Sequence, residues 1–289
     1  HVITTSMEHN SVMRPLRYLE EQGVEVTAVQ CDGTGMLDPD DIQSSIRSNT
    51  SLIITTHASN VTGTLMPVAE VGRIAGEHGI LFCVDSAQTA GSIEIDVNKM
   101  NIDLLCFSGH KGLLGPTGTG GIYIKKGVEK KLEPLIQGGT GSRSEYEMQP
   151  DFMPDKYESG TLNIMGIAGF LNSLEYIKEI SVREIHSKEM ELTSQLVDGL
   201  RDIPGVKIYG AMNPLYRTAV VSFNIEGTDP SESALILDEK YGILSRPGLH
   251  CAPSAHKTAG SFPCGTNRLS PGLFNTHDEI ETAIKAVWD

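Results

Sequence analysis

The sequence predicts an α/β protein with a mostly parallel sheet in a large N-terminal domain and a smaller α+β domain at the C-terminus. Short apolar segments alternate with helical segments through the first half of the chain, which is typical of repeated βα units. After residue 141 this alternation stops, and long helical segments and mixed segments follow. We therefore expect a large domain over residues 1–165 and a small domain over residues 166–289.

The first half of the chain contains five short apolar segments that we predict to be strands. Helical segments separate them, and one of these helices is marked by Asp38 at the N-cap and Pro39 at the first helical position. Short apolar parallel strands imply a sheet that is covered on both faces. The predicted strands are 2–5, 24–29, 52–56, 80–84 and 104–107, with helices near 12–22, after Pro39 and after Pro67.

The second half begins with a polar, irregular segment and continues with a long helical region that is interrupted near Ser181. Thr276 and Glu279 have the spacing of a capping box, and apolar residues then recur at helical spacing up to Val287. The predicted elements are a loop over 143–157, helices over 164–201, strands at 206–209, 219–225 and 267–270, a helix at 232–241 and a final helix.

Composition limits the kinds of partner. The formal net charge of −14 argues against nucleic acid or an anionic membrane surface as the main partner. No apolar run approaches the roughly 20 residues of a membrane span, and no signal peptide is visible. The 5 cysteines form no CxxC pair, which fits a reducing compartment, so we expect a cytoplasmic protein.

The most informative residues are a lysine and an aspartate at the ends of two neighbouring predicted strands. Lys111 lies between an apolar strand and a glycine-rich turn, and Asp85 ends the preceding strand. Either residue alone is usually a surface or capping residue. Together they suit pyridoxal 5'-phosphate (PLP), because a carboxylate keeps the pyridine nitrogen protonated and a lysine holds the aldehyde as an imine. The pair therefore predicts a PLP site.

Six ordered segments make the chain resemble the class V aminotransferase-like family of PLP enzymes, within its cysteine desulfurase and selenocysteine lyase branch. The resemblance extends over the whole chain and implies PLP-transferase fold type I. The segments that carry it are residues 7–10, 57–64, 84–88, 108–111, 157–161 and 246–253.

The resemblance implies roles for the residues around the cofactor ring. Lys111 forms the imine and acts as the acid and base at the substrate Cα, and Asp85 pairs with the ring nitrogen. His9 stacks on the ring and takes part in catalysis, although a helix-capping histidine is an equally ordinary interpretation of that position. Gln88 and Asn60 contact the hydroxyl side of the ring.

The resemblance also implies a phosphate site and a homodimer. Ser108 and His110 offer a hydroxyl and a ring N–H to the phosphate, and Thr161 reaches the phosphate in a neighbouring subunit. Relatives carry a further glycine/threonine loop that binds this phosphate through backbone N–H groups. That loop is missing before His1, so we expect the chain to be truncated at its N-terminus.

Two arginines are candidates for binding the carboxylate of an amino-acid substrate. A planar guanidinium binds a carboxylate through two parallel hydrogen bonds. Arg246 lies five residues before Cys251, and Arg268 is in a predicted strand. A surface ion pair is the commoner role of a single arginine. Arg268 is the weaker match, because the segment 254–267 is longer than in many relatives.

Cys251 is the residue that separates the subfamilies. In the RxGxHCAxP motif, the resemblance implies that this cysteine attacks the sulfur of the substrate cysteine and keeps it as a persulfide. Free cysteines are more often buried and inert, and only the thiolate form is nucleophilic. A zinc site formed by His250, Cys251, His256 and Cys264 has no standard ligand spacing, so we predict no metal.

We therefore expect a PLP-dependent cysteine desulfurase that converts L-cysteine to L-alanine and forms a persulfide on Cys251. A sulfur-acceptor protein is the expected partner, besides the small-molecule amino acid and a second copy of the chain. The alternatives are a selenocysteine lyase, an aminotransferase or an epimerase, in which Cys251 is incidental, and a catalytically inactive fragment, which the missing phosphate loop favours.

Overall fold

A six-stranded sheet dominates the first part of the chain in the computed structural model, which describes residues 1–289. Its strands are β1 (Val2–Thr5), β2 (Val26–Val29), β3 (Leu52–Thr56), β4 (Leu81–Asp85), β5 (Leu104–Ser108) and β6 (Gly120–Ile124). They lie in the order β2-β1-β3-β4-β5-β6. The first five run parallel, and only β6 runs antiparallel to its neighbour. The predicted α/β class with a mostly parallel sheet is confirmed.

Adjacent residues of a strand point to opposite faces of the sheet, and the strands carry apolar residues on both faces. Helices cover both faces and bury these residues. Ile3 and Ile53 pack into a core that also contains Ile42 and Val71. Val2 instead packs in a separate cluster on the opposite face. The helices are α1 (Asn10–Glu21), α2 (Pro39–Ser44) and α3 (Val68–Glu77). The predicted start of α2 is confirmed, since the Asp38 side chain accepts a hydrogen bond from the Asp40 N–H.

A long connection joins the two parts of the chain. Residues 125–163 contain one 3₁₀ turn, Val128–Lys131, but no strand or α-helix, as the sequence predicts for residues 143–157. Two helices follow, α4 (Ile164–Ile180) and α5 (Val182–Arg201). They are separated at Ser181, which has a φ of 81° and whose side chain caps α5 by accepting from the Glu184 N–H.

The C-terminal part is built on a four-stranded antiparallel sheet. Its strands β7 (Val206–Tyr209), β8 (Val221–Ile225), β9 (Arg246–Gly248) and β10 (Thr266–Leu269) lie in the order β7-β8-β10-β9. Three further helices are α6 (Pro230–Tyr241), α7 (Pro253–Ala259) and α8 (His277–Trp288). Leu192, Phe223 and Val287 belong to the core that α5, α8 and this sheet share. The predicted capping box of α8 is confirmed.

Three elements were missing from the sequence prediction. Strand β6 opens with Gly120 and Gly121, β9 is a three-residue edge strand that contains Pro247, and α7 is only seven residues long. Glycine and proline both weaken the strand signal. Ala252 and Ala255 from the α7 region pack into the core of the first sheet. The division into domains at residues 165 and 166 therefore remains a prediction.

Among the eight helices, none is both long enough and apolar enough to cross a membrane.

Candidate active site

A cavity of about 570 Å³ opens at the carboxyl ends of the parallel strands, where ligands bind in open α/β sheets. Strands β1, β3, β4 and β5 each lead into segments that line it. The structure brings eight of the eleven sequence-predicted site residues to this one cavity. They are His9, Asn60, Asp85, Gln88, Ser108, His110, Lys111 and Arg246.

Asp85 and Lys111 share the cavity without forming an ion pair. Asp85 is the last residue of β4, and its Oδ1 accepts a hydrogen bond of 2.9 Å from the Ala87 N–H. Lys111 lies in the turn after β5 and has no carboxylate within 4.0 Å. Burial among the cavity walls lowers the pKa of Lys111; Asp85 opposes this shift, and Arg268 reinforces it. The neutral, nucleophilic form of this amine is therefore more accessible than that of a surface lysine.

His9 lies at the start of α1 and at the cavity wall. It is the N-cap of α1, where Nδ1 accepts from the Ser11 N–H at 3.1 Å, and it also lines the cavity. Burial, and then the nearby Lys111 charge, lower the pKa of His9. This shift favours the neutral form of the ring, which suits a residue that packs against a flat aromatic ligand.

Asn60 connects the cavity to the C-terminal part of the chain. Its Nδ2 donates to the His250 carbonyl at 2.8 Å, and its own carbonyl accepts from an Arg268 guanidinium nitrogen at 2.8 Å. The Asn60 side chain is thus held by one hydrogen bond, while its Oδ1 stays available to a ligand. Arg268 is held directly beside the cavity, although its side chain does not form part of the cavity wall.

Arg246 and Arg268 are direct cross-strand neighbours on β9 and β10. Neither guanidinium has a carboxylate within 4.0 Å, and Nε of Arg268 is buried without a hydrogen-bond partner. Burial, together with the charge of Arg246, lowers the pKa of Arg268 to about 10. Two adjacent cations without an acidic partner form a site that an anion would stabilise.

Cys251 does not line the cavity, but it lies five residues after Arg246, which does. Cys251 is exposed and lies in the turn between β9 and α7. The Cys251 carbonyl accepts from the Asn10 N–H at 2.8 Å, directly after His9. Asn60 holds the preceding carbonyl of His250. The turn is thus attached to two segments that line the cavity.

Thr161 is the predicted residue that lies apart from the others. It is exposed in the connection before α4 and does not line the cavity. The apolar side chains near it are also exposed, among them Leu162, Ile164, Met165 and Ile167. Within one chain, Thr161 therefore has no contact with the candidate site.

The model of the family described as aminotransferase class-V matches residues 1–282. The chain belongs to the class-V aminotransferase family. Members of this family depend on PLP. The family that the six sequence segments indicated is thereby confirmed.

Individual members of the class-V aminotransferase family support this assignment. The chain is 40% identical to a probable cysteine desulfurase of Methanothermobacter thermautotrophicus over 285 residues, which cover 97% of this chain and 70% of the relative. It is similar in structure to the apo form of a cysteine desulfurase from Thermococcus onnurineus, with a TM-score of 0.92, 35% identity and coverage of 99% and 71%. A cysteine desulfurase from Escherichia coli aligns with a TM-score of 0.90, 27% identity and coverage of 99% and 70%.

Sequence reasoning missed three residues of this class-V site. Cys83 and Cys106 line the cavity, and Cys83 also belongs to a buried cluster with Leu104 and Val128. The signal was present, because Cys83 is two residues before Asp85 in one strand and therefore lies on the same face. The hydrogen bond with Cys106, and then burial, raise the pKa of Cys83.

Glu8 is the third missed residue, and it is a fully buried carboxyl directly before His9. Its Oε1 accepts from Thr5 Oγ1 at 2.7 Å and from the Thr56 N–H at 3.1 Å, while Oε2 has no partner. Burial raises the pKa of Glu8 to about 8, and the charge of Asp85 adds to the shift. The sequence signal for a buried Glu8 was its position shortly after the apolar strand β1.

A larger opening, of about 740 Å³, lies elsewhere and is mainly apolar. Leu105, Phe107, Leu113 and Phe170 line it. It contains none of the predicted site residues, so its size does not make it the better candidate. The chain contains no group of three or more His, Cys, Asp or Glu side chains that could hold a metal ion.

Proposed function

We propose that this chain is a PLP-dependent cysteine desulfurase that transfers the sulfur of L-cysteine to Cys251 and releases L-alanine. The observation that carries the proposal is the position of an exposed thiol in a turn attached to segments that line the cavity of Lys111 and Asp85. Relatives that are 32–40% identical carry the name cysteine desulfurase or probable cysteine desulfurase, which supports the same activity.

The residues of the cavity fit the ring end of PLP. The Oδ1 atom of Asp85 is occupied by the Ala87 N–H, which leaves its second oxygen free for a protonated ring nitrogen. Lys111 has a depressed pKa and no ionic partner, as an amine that must react with an aldehyde requires. His9 and Gln88 supply a flat ring and an amide at the same cavity. Bound there, PLP supplies an electron-withdrawing ring that stabilises negative charge on the substrate.

The phosphate end is assigned to Ser108 and His110, which line the same cavity. We also propose that the active form is a homodimer, in which Thr161 of one protomer reaches the phosphate site of its partner. The exposed apolar side chains around Thr161, which include Leu162 and Met165, support a subunit contact there.

The two arginines would bind and orient the substrate carboxylate. Arg246 and Arg268 are cross-strand neighbours without acidic partners, and Arg246 lines the cavity. Lys111, once it is a free amine, takes the proton from the substrate Cα and returns a proton to the product. This task needs a neutral amine, which the depressed pKa of Lys111 favours.

Cys251 would carry out the sulfur transfer. Its thiolate attacks the sulfur of the substrate, a new S–S bond forms, and the C–S bond of the substrate breaks. The electron pair of the broken bond stays with the substrate carbon, which takes up a proton and leaves as part of alanine. The sulfur remains on Cys251 as a persulfide until a thiol of an acceptor removes it. We expect that acceptor to be a protein in a reducing, cytoplasmic compartment.

The closest competing functions share the cavity but do not need the thiol. A selenocysteine lyase, an aminotransferase or an epimerase would use Lys111, Asp85 and the arginines equally well. None of them explains why the turn of an exposed cysteine is held by contacts with Asn10 and Asn60. This feature favours the desulfurase.

Product analysis tests the proposal. The PLP-loaded protein is incubated with L-cysteine and a reducing thiol, and alanine and sulfide are both quantified. A desulfurase yields them in equal amounts. Formation of pyruvate, of a racemised amino acid or of a keto acid without sulfide would assign the chain to another PLP reaction. Activity with selenocysteine alone would assign it to the lyases.

A further inference from the structure

The turn that carries Cys251 has a backbone conformation that side chains disfavour. His250 and Cys251 have φ values of 49° and 58°, in the left-handed region where glycine is usual. Such conformations persist only where surrounding contacts determine them. Asn60 holds the His250 carbonyl and the Asn10 N–H holds the Cys251 carbonyl, each at 2.8 Å. These two bonds fix the backbone from the side of the first sheet, but they leave the His250 side chain unexplained.

The His250 ring is buried beneath the turn and bonds back to its beginning. It is 3% exposed, and its Nε2 lies 2.8 Å from the Arg246 carbonyl oxygen. Because a carbonyl oxygen can only accept, Nε2 carries the hydrogen and donates it. In the neutral ring, Nδ1 is then an acceptor. This Nδ1 is buried and has no hydrogen-bond partner.

A second buried histidine lies beside the first. His256 of α7 is 0% exposed, and its ring centroid is 5.3 Å from that of His250. Its Nδ1 lies 2.7 Å from Ser261 Oγ, whereas its Nε2 is buried without a partner. When the Ser261 hydroxyl donates to Nδ1, Nε2 carries the ring hydrogen. The two unpartnered nitrogens are then complementary, with an acceptor on His250 and a donor on His256.

Burial keeps both rings in the neutral form that this arrangement needs. It lowers the pKa of His250 and of His256 to about 4. An uncompensated donor and acceptor in one buried site are costly, and no direct hydrogen bond joins them, so one buried water is expected to bridge the two nitrogens.

We propose that Ser261 and His256 are positioning residues for Cys251, which act through His250. In this proposal the Ser261 hydroxyl donates to His256 Nδ1, one buried water bridges His256 Nε2 and His250 Nδ1, and His250 Nε2 donates to the Arg246 carbonyl. This chain fixes the His250 tautomer and closes the segment from Arg246 to Cys251 from inside, while Asn60 and Asn10 hold it from the other side. The proposal deepens the proposed function, because it concerns the residue that would accept sulfur.

Amide hydrogen exchange in the turn is the direct test, with Ser261→Ala as the variant. The Ala252 N–H donates to the Leu249 carbonyl and the Asn10 N–H to Cys251, so both amides report opening of the turn. Loss of one buried hydrogen bond should accelerate their exchange about fivefold in the purified protein with PLP supplied. Ser261→Thr, which keeps the hydroxyl, should restore the parental rates.

Ser233→Ala is the matched control. Ser233 is 5% exposed, against 6% for Ser261; its hydroxyl donates to the Pro230 carbonyl and accepts from Asn267 Nδ2 at 3.3 Å, and it has no hydrogen bond to the turn itself. In Ser233→Ala, the Asn10 and Ala252 amides should exchange at the same rates as in the parent. Equal acceleration in both variants, or none in Ser261→Ala, would overturn the proposal.

A kinetic measurement separates positioning from general stability. In Ser261→Ala and in His256→Phe, the first turnover of persulfide formation on Cys251 should slow about fivefold, while the KM for cysteine and the PLP content remain parental. If either variant fails to fold, NMR of the parent protein tests the proposal by identifying the protonated ring nitrogen of His250 and of His256. The expected result is a proton on Nε2 of both rings, and a proton on Nδ1 of His250 overturns the proposal.

The exchange and NMR measurements need neither substrate nor turnover. A protein that shows the predicted exchange and tautomers but releases no sulfide would refute the desulfurase function and leave the positioning chain intact. Conversely, a protein that releases sulfide from cysteine but shows parental exchange rates in Ser261→Ala would refute the positioning chain and leave the desulfurase function intact.

Discussion

The cofactor half and the thiol half of the candidate site are held in different ways. Lys111 and Asp85 follow two neighbouring parallel strands, β5 and β4, whose register brings their carboxyl ends to the same edge. Cys251 instead lies on a left-handed turn after a three-residue edge strand, and contacts from distant segments hold it. The first half depends on local sequence pattern and the second on contacts between separate parts of the chain. Substitutions in the two halves should therefore have separable effects.

Removing Lys111 should have the largest effect, because it eliminates the only lysine of the cavity. Borohydride reduction of the PLP-loaded parent should attach the cofactor covalently to Lys111, and Lys111→Ala should show no such attachment and no turnover. Peptide mapping identifies the labelled residue. Lys125→Ala, which removes an exposed lysine paired with Asp103, is the control and should label as the parent does. Label on any other lysine would contradict the assignment.

Cys251→Ser should leave the cofactor half intact and abolish sulfur transfer. The PLP content and reductive labelling of Lys111 should match the parent, because Cys251 does not line the cavity. Sulfide release should fall by several orders of magnitude, since a neutral hydroxyl does not replace a thiolate as a nucleophile toward sulfur. The control is Cys264→Ser, at the other exposed cysteine, which should keep its activity. Parental sulfide release by Cys251→Ser would favour a selenocysteine lyase or another PLP lyase.

Arg246→Ala should weaken substrate binding and leave both the cofactor and the thiol in place. Loss of one partner of a desolvated charge pair costs about 2 to 5 kcal/mol, and the exposed position of Arg246 favours the lower end. At about 2 kcal/mol, the KM for cysteine should rise roughly thirtyfold. Arg246→Lys keeps the charge but loses the two parallel hydrogen bonds. Its KM for cysteine should therefore lie between that of the parent and that of Arg246→Ala. An unchanged KM would exclude Arg246 from carboxylate binding.

Glu8 should make the stability of the cofactor half depend on pH. The folded pKa of about 8 is above the ordinary value of 4.5, so the unfolded chain releases this proton first as the pH rises. The contribution of Glu8 to stability is then complete below pH 4.5 and is lost by about 1.4 kcal/mol per pH unit up to pH 8. Glu8→Gln should remove this part of the slope.

Urea unfolding at pH 6 and pH 7 measures the effect of Glu8. The free energy of unfolding of the parent should fall between these values by about 1.4 kcal/mol more than that of Glu8→Gln. The exposed control Glu175→Gln should keep the parental slope. Equal slopes for Glu8→Gln and the parent would show that Glu8 is already ionised in the folded protein.

The same contrast explains what the sequence could predict. Strand ends, helix caps and the residues that follow them are local signals, so β4, β5, α2 and the capping box of α8 were predicted together with Asp85 and Lys111. The hydrogen bonds from Asn10 and Asn60 to the Cys251 turn join residues about 190 to 240 positions apart, and no local pattern encodes them. The cavity contacts of Cys83 and the burial of Glu8 likewise follow from the packing of neighbouring strands.

A single turnover with ³⁵S-labelled cysteine tests the central claim most directly. The PLP-loaded protein, in excess over cysteine and without reducing agent, should form one alanine for each labelled sulfur bound to protein. Peptide mapping should place that sulfur on Cys251, and a reducing thiol should release it. Alanine formed without protein-bound label, or label on Cys83, Cys106 or Cys264 instead, would contradict the account.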